Sequence, residues 1–266
     1  MGRPFTLSYD YPYFEIVAAD TFGVTAIAMI LEQNWCAEAR MLAEKSRLAS
    51  KVFGTSSAVA GIWRSNPKES VLETPDLRIL VGLVPDQCDT ANTLLSKTFG
   101  KDAVPHTISV CPGTDGVTLA SRGSSGSHLL RVPRHQESDA IIGVLGTMFL
   151  PGVISFDLND LYTVFRIGNQ SIFAMGASNG KTAAEQATRL ASDHIANFIA
   201  NHGSVTALLC FGGGTETTST DVLKAFHMFA ELCPAWAEDP NTKILVVCWI
   251  AADYQPQEVC AYIYVR

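Results

Sequence analysis

Charge is scarce in this chain. Charged residues fill 17% of its 266 positions, against about a quarter in ordinary soluble proteins. No run of lysine or arginine occurs, and 19 basic against 26 acidic side chains leave a net charge of -7. That excludes the electrostatic footprint of a nucleic-acid binder. A chain so short of charge is expected to cover part of its surface with a partner or with a second copy of itself. Paired cysteines are lacking too. The cysteines, at 36, 88, 111, 210, 233, 248 and 260, are odd in number, form no C-x-x-C pair and lie mostly in apolar runs. Free buried thiols in a reducing compartment fit this better than a disulfide framework or a zinc site, so no metal is expected. A long hydrophobic run is the third absence. The longest uncharged stretch, Ala140 to Phe156, is interrupted by Pro151-Gly152 and falls short of the roughly 20 apolar residues a membrane span requires. The opening MGRPFTLSYD has no apolar signal core. The expectation is a cytoplasmic protein with no membrane span.

What is present is an alternation of strand-length apolar runs with helix-period stretches, the pattern of an α/β protein. Strands are expected at Phe14 to Ala18, Leu77 to Val84, His106 to Cys111, Leu129 to Val132, Ser171 to Met175, Val205 to Phe211, Ile244 to Ile250 and Val259 to Val265. Helices are expected at Val24 to Gln33, Asn92 to Phe99, Asp139 to Leu150 and Thr182 to Asn201. In the last of these Ala184, Ala187, Ala191, Ile195, Phe198 and Ile199 share one face, and Gly203 ends it. A further helix capped by Thr220 would place Leu223, Phe226 and Ala230 in one stripe and stop at Pro234. Residues 113–127 read as a Gly/Ser-rich loop. Strands with short links near the end predict a mixed sheet covered by helices on one side.

Three motifs raise chemistry. Gly176-Ala-Ser178-Asn-Gly180 matches G-x-S-x-G, the turn that exposes a hydrolase nucleophile. Asp193 with His202, or Asp221 with His227, are the available partners, but no oxyanion segment lies upstream. The alternative is a Gly-rich strand-to-helix loop. Gly180-Lys181-Thr182 ends like a P-loop, yet Met175 stands where the first glycine belongs and the loop is one residue short. Gly212-Gly-Gly214-Thr215-Glu216-Thr217 is close to the G-G-G-T-G-T-G signature of tubulins. Glu216 in place of a glycine brings a carboxylate towards a triphosphate and repels it.

From residue 141 onward the succession of elements resembles FtsZ, the bacterial tubulin. IIGVLGTMFLPGVISFDLNDLYTVF resembles the end of its central helix followed by its synergy loop, P-G-L-I-N-x-D-x-x-D. SIFAMGASNGKTAAEQATRLA resembles the family's A-M-M-G strand, polar loop and alanine-rich helix. VTALLCFGGGTETTSTDVLKAFHMFAE resembles a strand ending in Gly-Gly with its helix, and ILVVCWIAADYQPQEVCAYIYVR the closing hairpin with its acidic turn. Few residues are identical, and the likeness lies in order and spacing over half the chain. It assigns the Gly212 loop to the C-terminal domain, so its tubulin-like spelling is coincidental. The fold implied is a degenerate Rossmann-like nucleotide-type domain over 1–137, a central helix over 138–152 and an FtsZ-like C-terminal α+β domain with a mixed sheet over 153–266.

The resemblance also exposes what the first half lacks. FEIVAADTFGVTAIAMI stands where the family has a glycine cluster that lets backbone amides approach phosphate, and Gly23 is the one glycine there. LRILVGLVPDQCDTANTLLSKTFG stands at the signature loop, where Pro85-Asp86-Gln87-Cys88-Asp89-Thr90 replaces glycines and threonines. Proline removes an amide donor and the aspartates add negative charge, so GTP binding in the usual manner is not expected. If a nucleotide did bind, Gly23 and Thr90 are the positions that would touch it.

The synergy loop departs less. Asp157 and Asp160 fall on its acidic positions and Ser155 replaces the usual Asn. In the family these acids cross a filament contact to orient the water attacking a neighbour's GTP. In the present chain they would be interface residues, or catalytic if it is a GTPase; Asp160 is equally placed to supply N-terminal charge or a cap to the next helix. The implied function is that of a non-catalytic FtsZ-like cytoskeletal or scaffold protein, self-associating or binding an FtsZ-type partner in division or membrane remodelling. A GTPase with an altered pocket and a serine hydrolase at Ser178 are the alternatives. The chain stops at Arg266 just after the last strand, so tethering through an FtsZ-type tail is not expected.

Overall fold

In the computed structural model the described residues are 14–18, 42–44, 61–64, 76–81, 106–112 and 126–266, the last without 151, 153–155, 202–204, 234–237 and 252–253. They form one sheet of ten strands. Its strands are β1 (Phe14–Ala18), β2 (Leu42–Glu44), β3 (Gly61–Arg64), β4 (Leu77–Val81), β5 (His106–Pro112), β6 (His128–Val132), β7 (Gln170–Asn179), β8 (Thr206–Gly213), β9 (Lys243–Ile250) and β10 (Glu258–Val265). The helices among the described residues are α1 (Glu137–Phe149), α2 (Leu158–Val164), α3 (Ala183–Ala200) and α4 (Ser219–Glu231).

The sheet order is β2-β3-β1-β4-β5-β6-β7-β10-β8-β9. Neighbours from β1 through β4, β5 and β6 to β7 are parallel, as are β8 and β9. β3 is antiparallel to β1 and β2, and β10 is antiparallel to β7 and β8. The expected closing hairpin is therefore not one: β8 lies between β9 and β10. The expected mixed α/β fold is present.

Period-2 alternation sorts the sheet's side chains onto two faces. Phe173, Leu208, Cys210, Val247, Trp249, Tyr262 and Tyr264 pack in one cluster with Ile141, Val144 and Leu145 of α1. Ile172, Ala174, Leu209, Phe211, Ala261 and Ile263 pack in another with α3 and α4. The C-terminal strands thus carry helices on both faces, not one. Burial on both sides is why β8 and β10 read as continuous apolar runs instead of alternating ones. The face of α3 expected from its periodicity is the buried one. For α4 the cap is Thr218, whose side chain and that of Asp221 bond reciprocally to each other's amides, and the buried stripe is Val222, Ala225, Phe229 and Ala230. Leu223, read from sequence as inward, is 52% exposed. The expected stripe lies one residue, or ~100°, around the helix from the observed one and shares Ala230 with it. The helices expected at Val24 to Gln33 and Asn92 to Phe99 and most of the 113–127 loop lie outside the described residues. All the described cysteines, 111, 210, 233, 248 and 260, are buried free thiols.

The first half of the sheet buries an ion pair between β1 and β4, with Arg78 Nε donating to Glu15 Oε1 at 2.7 Å and both side chains inaccessible. On its other flank α1 lies close to the sheet. A Cβ on Gly146 would come within 2.6 Å of the Trp249 ring, and one on Gly143 would strike the Tyr264 hydroxyl, which donates to the Ala140 carbonyl.

Gly176 is decided the same way. The segment Gly176–Asn179 continues β7, paired with Glu258–Ala261 of β10, and is not the expected strand-to-helix loop. A Cβ on Gly176 would overlap the Ala187 carbonyl of α3. Gly176→Ala is expected to lower stability by about 1–3 kcal/mol, as overpacking against fixed backbone does. Urea unfolding measures it, and an unchanged midpoint would show that α3 is free to move away.

Candidate functional site

Asp157 is the N-cap of α2. Its Oδ1 accepts from the Asp160 amide at 2.9 Å, and Asp160 Oδ2 accepts from the Asp157 amide at 3.3 Å. Each acid thereby satisfies an amide that the helix start leaves unpaired. Asp157 is exposed and Asp160 half-buried. The helix is short, and its other end is what fixes it. His106, first residue of β5, contacts the Phe165 carbonyl through Nε2 at 2.5 Å, and its ring stacks on Tyr162 with centroids 4.3 Å apart. His128, first residue of β6, contacts the Arg166 carbonyl through Nδ1 at 2.9 Å. A carbonyl only accepts, so each of these ring nitrogens carries the proton. The remaining nitrogen of His128, Nε2, accepts from the Ser171 hydroxyl at 2.9 Å. The Tyr162 hydroxyl donates to the Asp76 carbonyl just before β4. The chain then turns back into β7, with Gly168 at φ +81° and the Asn169 amide bonded to the Arg166 carbonyl. A left-handed residue in that turn favours glycine.

Burial pulls the His128 pKa from 6.5 down to about 4, outweighing the opposing effect of its bond to the Arg166 carbonyl. His106 is shifted down by burial as well. At neutral pH both rings are neutral struts and not general bases exposed to a substrate.

The other sequence-derived sites resolve differently. Ser178 lies in extended strand, and its hydroxyl donates to Gln186 Oε1 at 2.7 Å. Asp221 belongs to the α4 cap, and His227 sits beside Phe226 on the same helix. The nucleophile-turn geometry expected of G-x-S-x-G is absent at Ser178. The glycines of the 212–217 loop serve packing. A Cβ on Gly212 would crowd Tyr254 and Trp249, and one on Gly214 would strike the Gln255 carbonyl. Glu216 is engaged there too, accepting from Gln257 Nε2 at 2.7 Å. Ser155, Gly23 and Thr90 lie outside the described residues. Among those described, no three His, Cys, Asp or Glu side chains gather as metal ligands, and no helix is long and apolar enough to cross a membrane.

Solved structures share this fold over part of their length. The chain is similar to an FtsZ W319Y mutant from M. jannaschii, at 14% identity and a TM-score of 0.52, covering 72% of this chain and 65% of that one. It is similar to an empty FtsZ dimer from the same organism, at 14% identity and a TM-score of 0.55, covering 72% and 64%. The fold is FtsZ-like. The chain thus spans just under two thirds of the length of those FtsZ chains. Neither a protein-family model nor a curated protein matches the sequence.

Sequence reasoning found the two acids because they sit at fixed spacing in a motif. It missed His106 and His128, since a single histidine opening a strand carries no pattern. Two measurements follow from the geometry. Asp157→Ala is expected to cost roughly 1 kcal/mol through loss of the α2 cap, read as a drop in the urea midpoint; no change would mean the box is not formed in solution. The His128 shift gives a pH dependence. A folded pKa below the unfolded one means its contribution is complete above pH 6.5 and is lost as pH falls towards 4. The stability difference between wild type and His128→Asn is expected to shrink by about 3 kcal/mol across that window. Asp139, raised to about 6 by burial and then by Glu137, acts oppositely in both proteins and cancels in the difference.

Proposed function

We propose that this chain is a non-catalytic FtsZ-like cytoskeletal or scaffold subunit, acting by self-association or by binding an FtsZ-type partner. The carrying observation is the surface-exposed Asp157 cap on an FtsZ-like fold, which the sequence resemblance assigns to the synergy-loop position. The box engages Asp157 through Oδ1 and leaves its second oxygen without a described partner. A fixed helix presenting a carboxylate outward is the arrangement a longitudinal contact would use, and Ser155 belongs to the same proposed interface. The phosphate-loop positions favour a subunit that offers this loop without itself holding GTP. They carry Pro85, Asp86 and Asp89 where amides and small residues are needed. The low overall charge accords with an extensive covered surface. The division into 1–137, 138–152 and 153–266 is part of the same reading, as are a cytoplasmic location and a role in division or membrane remodelling.

The deciding measurement is the guanine-nucleotide content of freshly purified protein, with GTP titrated in parallel and assembly followed by sedimentation. An empty protein that sediments as an oligomer, or joins an FtsZ-type partner, without GTP is the expected result. Near-stoichiometric guanine nucleotide, with turnover abolished by Asp157→Ala and Asp160→Ala, would instead establish a GTPase with an altered pocket.

A further inference from the structure

A cavity of about 640 Å³ opens beside the C-terminal end of α2, where β8 and β9 begin and β10 ends. Its lining brings together Arg166, Lys243 and Arg266 with the hydroxyls of Thr163 and Thr206 and the amide of Asn241, and includes no carboxylate side chain. Over the whole chain acids outnumber bases by 26 to 19, so a lining of three bases and no acid runs against composition. None of the three cations has a described carboxylate in ion-pair range. Arg266 is half-buried and its Nη2 donates to Thr206 Oγ1 at 3.0 Å, which holds the guanidinium in place and leaves the threonine proton free to donate. Asp239, the acid bonded to a lining residue, accepts from both the amide and the side chain of Asn241 and so orients it. Arg266 is also shifted below its ordinary pKa, by burial and then by the charge of Arg166. The two guanidiniums are thus close enough to repel, and an anion between them would relieve that repulsion.

We propose that this cavity binds a small anion carrying at least two linked phosphate groups. Two planar guanidiniums and an ammonium suit a chain of phosphate oxygens, which arginine forks grip in pairs and lysine holds as a point charge. The volume lies within the roughly 300–1,000 Å³ of small-molecule sites, larger than one phosphate needs. Free pyrophosphate and a nucleoside diphosphate share this chemistry. The lining comes from residues 162–266 and draws on neither Gly23 nor Thr90, so the proposal stands whether or not the scaffold reading does.

The test is calorimetric titration of the full chain with sodium pyrophosphate at low ionic strength, with GDP and inorganic phosphate in parallel. Saturable binding of one pyrophosphate is expected, weaker for inorganic phosphate. Arg166→Gln with Lys243→Gln should weaken pyrophosphate at least about tenfold, since each charge-assisted contact is among the stronger hydrogen bonds. Both side chains are exposed, so the urea midpoint of that variant should not move. GDP binding that the same substitutions abolish would identify nucleotides as the source of the diphosphate, and pyrophosphate binding without GDP binding would identify the free anion; either supports the site. Absence of saturable pyrophosphate binding, or affinity unmoved by the two substitutions, overturns it.

Discussion

Two backbone carbonyls at the end of α2 hold much of this molecule in register. A helix of two turns has little stability of its own, and its last carbonyls need partners. His106 and His128 supply contacts at Phe165 and Arg166, and they reach there because both open neighbouring parallel strands. Burial keeps the rings neutral, so each presents one N–H donor where a charged imidazolium would have to be desolvated. From that fixed end the helix, whose seven residues span about 10 Å at 1.5 Å per residue, projects the Asp157 cap one way and Arg166 the other. Both the proposed contact and the proposed anion cavity inherit their geometry from those bonds.

The sheet imposes the second constraint. β10 runs against the direction of its neighbours and closes the gap between β7 and β8, so the last strand in sequence joins two strands distant from it along the chain. With helices on both faces, most residues of these strands have a packing role, and the backbone must come close to helices and turns. Glycines are spent on that closeness: Gly143 and Gly146 of α1 against Tyr264 and Trp249, Gly176 under α3, and Gly212 and Gly214 against Trp249 and the turn at Gln255. In the C-terminal half the glycine-rich spellings that resemble nucleotide or nucleophile motifs answer steric crowding at Gly176, Gly212 and Gly214 and a left-handed backbone at Gly180.

Most strands were legible in the sequence. β1 coincides with its expected span, and β5, β6, β9 and β10 differ at their ends by a residue, because apolar runs bounded by turn residues admit few other readings. The buried face of α3 was legible for a related reason: over eighteen residues, one helical phase fits the alanines and large apolar residues. On α4 the same reasoning failed. Leu223 and Phe226 fit a helical period as well as Val222 and Ala225 do, and the local signal that marks the cap is the Thr218-x-x-Asp221 spacing, not Thr220.

By itself, the sequence determined the alternation of strands and helices, the scarcity of charge and the spacing of Asp157 and Asp160. These are local properties, set by side-chain chemistry and by periods of two and 3.6. Tertiary structure alone decided that Gly176 to Asn179 extend a strand, that β8 separates β9 from β10, and that helices cover both faces of the C-terminal sheet. It also brought Arg166, Lys243 and Arg266 to one cavity across a hundred residues of chain. Such choices depend on which distant strands pair and how closely helices approach them, and no window of sequence contains both partners.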